Sequence, residues 1–215
     1  MIITITSLRA RGEDEIAVSF RLSEGNNICD ETFVISGADI LLMKLSAGDS
    51  TREVYEEVSR AADIHYAVKR ALSVLGYGAC SKKNLERKLV MKQIAPDIAA
   101  EACDILEKKG YIDDSSNAVR EAELCARKLW GTRRIAAAMY KKGYSEGAVR
   151  EAIYGLEDEG VDFVSNCARL IESRYSSIPE DRAELGKLYA AMMRYGYSSS
   201  EISDALRLIE DGEQY

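Results

Sequence analysis

The chain begins with alternation and then changes period. In "IITITSL" (Ile2 to Leu8) and "EIAVSFRL" (Glu15 to Leu22) apolar and polar side chains alternate, with Ile16, Val18, Phe20 and Leu22 pointing one way. "SEGNN" supplies turn residues, and "ETFVIS" offers a third strand from Thr32 to Ser36. Together they predict a small β-meander with one face packed. From Gly37 the apolar spacing becomes helical. A short helix over "ADILLMKL" is expected to end near Gly48. "DSTREVYEEV", with Ser50 three residues before Glu53 in a capping-box pattern, opens a longer helix towards Leu75. The remainder predicts a string of helices of roughly 10–20 residues separated by Gly and polar residues.

These helices repeat. "AAMYKKGYSEGAVREAI" (Ala137 to Ile153) matches "AAMMRYGYSSSEISDAL" (Ala190 to Leu206) at a constant offset, so that Gly143, Tyr144 and Ser145 meet Gly196, Tyr197 and Ser198. A weaker copy, "RKLVMKQIAPDIAAEAC" (Arg87 to Cys103), has Gln93 in place of the Gly and Ile94 in place of the Tyr. Repetition of this kind marks stacked supersecondary units. Each Gly suits a helix C′ position, where positive φ is cheap without a Cβ, and each Ser suits the next N-cap. The expected architecture is mainly α: three tandem three-helix, helix-turn-helix-like repeats in an elongated, curved stack, with a β-rich N-terminal extension. The expected divisions are 1–50 for the extension, 51–63 for the start of a connecting helix, 64–115, 116–162 and 163–211 for the repeats, with a tail to 215.

Charge is unevenly placed. The 215 residues carry a net charge of -7. Residues 1–66 hold six basic and twelve acidic side chains. Yet from Leu124 to Ser145 there are six basic residues and no Asp or Glu. On a helix running from Thr132 as N-cap to Gly143, Ile135 and Met139 face the core, while Arg133, Arg134, Tyr140 and Lys141 fall opposite. Lys141 and Lys142, in the last turn, suit the helix dipole. Arg133 and Arg134, in the first turn, oppose it at a cost of about 0.3–1 kcal/mol each. A second cluster, Lys82, Lys83, Arg87, Lys88 and Lys92, lies upstream.

Other chemistry is sparse. The five cysteines are scattered and unpaired in sequence, and His65 is the only histidine, so reduced, mostly buried thiols are expected and no metal or cofactor site. Asp113 and Asp114 read as helix caps, and "GYGAC" is too short for a phosphate loop. No enzyme is expected. Trp130 reads as a partly buried packing residue. Tyr111, Tyr144, Tyr154, Tyr195 and Tyr197 read as packing residues at junctions between repeats, with wet hydroxyls. The start lacks a basic n-region before its apolar stretch, and no apolar run is long enough to span a bilayer, so a cytoplasmic protein is expected. A sequence-specific helix-turn-helix DNA-binding protein is the alternative function. Its candidate recognition helix, "SEGAVREAIYGLEDEG" (Ser145 to Gly160), carries five acidic residues and one cation, Arg150.

"GYIDD" (Gly110 to Asp114) followed by "ARKLWGTRRIAAAMYKKGYS" (Ala126 to Ser145), with "CSKKNLERKL" (Cys80 to Leu89) upstream, resembles the signature of the RecX family of bacterial recombinase regulators. The resemblance extends over about residues 64 to 211. It implies three three-helix units and a protein without an active site. Its partner would be the RecA filament on single-stranded DNA, whose growth, ATPase and recombination activity it would restrain, and with them homologous recombination, DNA repair and the SOS response. Weak binding to free DNA at most is expected from the net negative charge, and a monomer. The expected contact residues are Arg127, Lys128, Arg133 and Arg134, supported by Lys141, Lys83, Arg87 and Lys88.

Overall fold

The computed structural model describes residues 1–212, so the end of the expected tail, residues 213–215, lies outside the described residues. It is mainly helical, with a small antiparallel sheet at the N-terminus. The chain divides into two compact units, residues 1–78 with 85–112, and residues 79–84 with 113 onwards.

In the first unit, β1 (Ile2–Ala10), β2 (Glu15–Glu24) and β3 (Asn27–Ser36) form the meander. Gly25, at φ 60°, opens the two-residue turn between β2 and β3. β3 therefore starts at Asn27, earlier than the apolar run at Thr32 suggests, because pairing continues right up to the turn. Ile3, Ile5, Val18, Phe20 and Ile35 are buried on one face, in agreement with the alternation. α1 (Gly37–Met43) has a full capping box, Ser36 with Asp39, and stops at Lys44 in the left-handed conformation rather than near Gly48. The residues beyond become β4 (Gly48–Ser50), which pairs with Ile3 to Ile5 and completes the order β3-β2-β1-β4. Three polar or small residues carry no periodicity, so only the partner strand reveals this element.

α2 (Arg52–Leu75) is capped by Thr51, whose side chain accepts from the Val54 amide; Ser50, the cap suggested by the sequence, is the last residue of β4. Tyr55 meets Phe20 and Phe33 edge-on, with centroids 5.3 and 5.5 Å away, and its hydroxyl donates to Glu31. Burying each large apolar side chain in this cluster contributes about 1.5–3 kcal/mol. Further along, Arg60 ties α2 to α4 (Pro96–Lys108) through Asp97 at 2.8 Å and Glu101 at 2.7 Å. α3 (Lys82–Met91) precedes α4, and its residues from Leu85 onward group with this unit.

The second unit holds α5 (Asp114–Ala126), α6 (Thr132–Lys141), α7 (Glu146–Asp158), α8 (Phe163–Glu172), α9 (Arg182–Arg194) and α10 (Ser199–Glu210) around one apolar core. Ser145 and Ser198 are the N-caps of α7 and α10, and Asp113 caps α5. Gly143 and Gly196 have φ of 87° and 99°. The matching segments bury matching positions: Leu85, Leu89 and Ile94, then Ile135, Met139 and Tyr144, then Leu188, Met192 and Tyr197. Tyr197 is fully buried and its hydroxyl donates to the Leu129 carbonyl at 2.9 Å, so it is not wet as the sequence suggested. Tyr111 and Tyr154 are exposed. None of the five cysteines is in a disulfide, and of them only Cys29 is exposed.

Candidate interaction site at the α5–α6 junction

α6 begins against a turn. Its N-cap is Gly131, not Thr132, and no side chain caps it. Instead the Gly131 amide donates to the Tyr195 carbonyl at 2.8 Å and the Arg133 amide to the Gly196 carbonyl at 3.3 Å. Those carbonyls belong to the end of α9, so the positive end of one helix meets the negative end of another, and orphan groups of both are satisfied. The contact requires two glycines. A Cβ on Gly131 would lie 2.5 Å from the Gly196 carbonyl carbon, and one on Gly196 would lie 2.5 Å from the Arg134 amide nitrogen.

A related joint occurs upstream in the same unit. Ser81, buried at the start of α3, donates to the Lys142 carbonyl at the end of α6 and accepts from the Asn84 amide. Gly143 leaves room for it, since a Cβ there would be 3.0 Å from the Ser81 hydroxyl and 3.2 Å from the Lys83 Cβ. Lys83 therefore stands beside the last turn of α6, where Lys141 and Lys142 lie.

The joint at Gly131 organises the cations. Arg134 is half-buried, with its guanidinium 4.2 Å from the Trp130 ring centroid and 4.9 Å from that of Tyr195. It also donates to the Arg194 carbonyl at the end of α9. Lys128 reaches Trp130 at 5.3 Å, and Arg174 lies 4.6 Å from Tyr195, whose hydroxyl it also bonds. Lys128, Trp130, Arg134, Tyr195 and Arg174 thus form one run of alternating cations and rings, each contact contributing about 0.5–1 kcal/mol where exposed. This resolves half of the puzzle in the first turn of α6. Arg134 is unfavourable for its own helix dipole but favourable for that of α9, whose C-terminal carbonyls it faces.

The other expected residues separate. Arg133 and Lys141 are exposed on one stripe of α6 with Ala137 and Tyr140 between them. Among the described residues no ion pair involves Arg133, Lys141, Lys128 or Lys83. Arg127 turns away to Glu123, 3.6 Å distant, and lines a cleft of about 770 Å³ with Arg169 beneath the ends of α5 and α7. Lys142 pairs with Glu121 at 2.6 Å. Arg87, exposed, and Lys88, half-buried, are on the part of α3 that belongs to the first unit. Trp130 is half-buried against the core, as expected. Arg174 was missed by the sequence reading, whereas Tyr195, read there as a junction packing residue with a wet hydroxyl, is half-buried against the core and its hydroxyl bonds Arg174 rather than water alone. For Tyr195 a signal existed: the repeat offset places it opposite Lys142, at the turn position of the island.

Among the described residues no three His, Cys, Asp or Glu side chains are placed to hold a metal ion, and no helix is long and apolar enough to cross a membrane. Burial pushes the Tyr144 hydroxyl up to about 12, and Tyr197 further still, which keeps both neutral. What the site offers is a fixed set of donors and positive charge suited to a polyanion or an acidic surface.

No family model matches the chain. The regulatory protein RecX of Xanthomonas axonopodis pv. citri (strain 306) is 31% identical over 146 residues, which cover 67% of this chain and 88% of that protein. The regulatory protein RecX of Pelodictyon phaeoclathratiforme is 30% identical over 148 residues, 66% of this chain and 88% of that one. Among solved structures, a regulatory protein RecX superposes with a TM-score of 0.72 at 19% identity over 94% of this chain and 99% of the other. RecX from Lactobacillus salivarius superposes with a TM-score of 0.60 at 23% identity, over 69% and 97%. The helices and the N-terminal sheet follow the RecX structures, and the sequence likeness spans most of the length of its relatives: the chain belongs to the RecX family of regulatory proteins.

Proposed function

We propose that this protein regulates the RecA recombinase by binding its filament on single-stranded DNA and restraining filament growth, ATP hydrolysis and recombination. It acts as a monomer in the cytoplasm, without catalysis or cofactor, and its consequences reach homologous recombination, DNA repair and the SOS response. The tandem three-helix units at 64–115, 116–162 and 163–211 provide the binding scaffold. The recurrence of buried positions at Leu85, Ile135 and Leu188 supports that division.

One observation carries the reading. Arg133 is exposed in a first helical turn, where its charge is disfavoured, and no described residue neutralises it. Arg134 has partners within the fold, whereas Arg133 has no ion pair among the described residues. A charge retained against the stability of its own helix is best explained by a partner outside the chain, and the neighbouring run from Lys128 to Arg174 enlarges the cationic surface that partner meets. In this proposal Arg133, Lys128 and Lys141 make the main contacts, with Lys83 supporting them. Arg134 positions the surface, and Arg127, Arg87 and Lys88 contribute outside it. The net charge of -7 favours a protein-coated filament over free DNA.

The test is DNA-dependent ATP hydrolysis by the cognate recombinase with this protein titrated in below equimolar amounts. Loss of activity at few copies per many protomers is the expected result, with the dose shifted upward for R133E combined with K141E. No effect at equimolar protein, with filaments intact, would overturn the proposal and put the DNA-binding alternative first.

A further inference from the structure

β3 is the long open edge of the sheet. β4, at the opposite edge, has three residues, whereas β3 has ten, and only β2 pairs with it. A cleft of about 640 Å³ runs between β3 and the second half of α2. Thr32, Phe33 and Val34 all line it. β3 is an edge strand, and a cleft that meets three consecutive residues, whose side chains alternate between faces, follows its backbone as well as one face; Glu15 and Arg11 extend the lining at the near end of the sheet. The other wall of the cleft is α2, through Ala62, Tyr66, Lys69 and Arg70. An edge strand with unpaired backbone groups facing a helix across a groove is the geometry in which an added strand gains affinity from main-chain hydrogen bonds and specificity from alternate side chains.

The charge of the cleft selects the occupant. Residues 1–66 are strongly acidic, yet Arg11, Lys69 and Arg70 converge here. Glu15, one of two carboxylates in the lining, is already bonded by Lys69 and by His65, the latter at 3.2 Å. Among the described residues Arg11 and Arg70 have no acidic partner, and Arg70 lies 5.5 Å from the Tyr66 ring centroid. A second copy of β3 would not meet this need. Its Asp30 is held by Arg21 at 2.8 Å and its Glu31 by the Tyr55 hydroxyl. The geometry points to a docking groove for an extended, acidic peptide segment of a partner protein, which adds as a strand to β3 and places carboxylates against Arg11 and Arg70.

The experiment is fluorescence anisotropy of the full chain with a labelled peptide of roughly ten residues alternating valine and glutamate. Saturable binding is expected, weakened roughly tenfold or more when lysine replaces glutamate in the peptide, or in R11E combined with R70E. Alternate backbone N-methylation of the glutamate peptide, which keeps its charge, is expected to weaken binding by a similar factor, roughly tenfold. The methylated probe needs no protein variant and so separates strand addition from any folding defect. Absent binding, or binding indifferent to methylation or to charge reversal, would overturn the proposal. So would a concentration-dependent dimer in sedimentation that the peptide displaces, since the edge would then belong to a second copy.

Discussion

Gly131 faces Gly196 across a gap that admits no side chain, with the Gly131 amide bonded to the carbonyl of Tyr195. The turn between α9 and α10 is thereby seated on the start of α6, and this is what gathers Arg134 and Arg174 around the same ring.

Substituting alanine at Gly131 forces backbone against backbone, and at Gly196 adds strain at φ 99°. Each is expected to cost about 1–3 kcal/mol in urea unfolding, as overpacking does. Gly155, inside α7 with open space around its Cα, is the control: G155A is expected to stabilise by about 0.5–1 kcal/mol. Equal effects at the three sites would contradict the close approach.

The Tyr197 hydroxyl holds the carbonyl of Leu129, a non-glycine residue at φ 53°. Y197F leaves that carbonyl without its partner and is expected to lower stability by about 1–3 kcal/mol, with the same fold by circular dichroism. An unchanged urea midpoint would refute the bond.

Trp130 is the sole tryptophan, so its emission reports on the run of cations and rings. R134A is expected to change the intensity and wavelength of that emission, whereas R133E is expected to leave both unchanged. The opposite pattern would assign the packing role to Arg133 and the free charge to Arg134.

Lys69 and, next, His65 hold the Glu15 carboxyl below its ordinary value of 4.5. A depressed carboxylate pKa stabilises the folded state above the unfolded value, and that contribution is lost as pH falls through the folded value. The thermal midpoint of the wild type is therefore expected to fall more steeply than that of E15Q below about pH 4.5. Parallel acid limbs for the two proteins would disprove the coupling.

Burial pushes the Cys167 thiol up to about 12 and raises Cys125, while Cys29 is exposed on β3. Reaction with a thiol reagent under native conditions is expected at Cys29, with the other four released only by denaturant. Mass spectrometry of the first adduct decides it.

Much of this molecule was legible from local pattern. Alternation in Ile16 to Leu22 named the buried face of β2, and the spacing of Ile135 and Met139 named that of α6, because burial repeats with the backbone period. Ser145, Ser198 and Asp113 announced their helices because an N-cap acts within three residues. β4 escaped, since Gly48 to Ser50 has no pattern of its own, and Ser50 was mistaken for a cap that belongs to Thr51. The cationic island was visible, but not its division.

By itself the sequence determined the helical period, the buried positions, the repeat and the concentration of positive charge between Leu124 and Ser145, all of which are properties of neighbours along the chain. Only the tertiary structure decided which cations remain available. Arg134 is engaged by Tyr195 and the end of α9, Arg127 by Glu123 and Lys142 by Glu121, while Arg133 and Lys141 are left facing water. The decisive partner, Tyr195, lies some sixty residues from Arg134 along the chain. Charge is a property of the residue, but its availability depends on what the fold brings within a few ångströms of it.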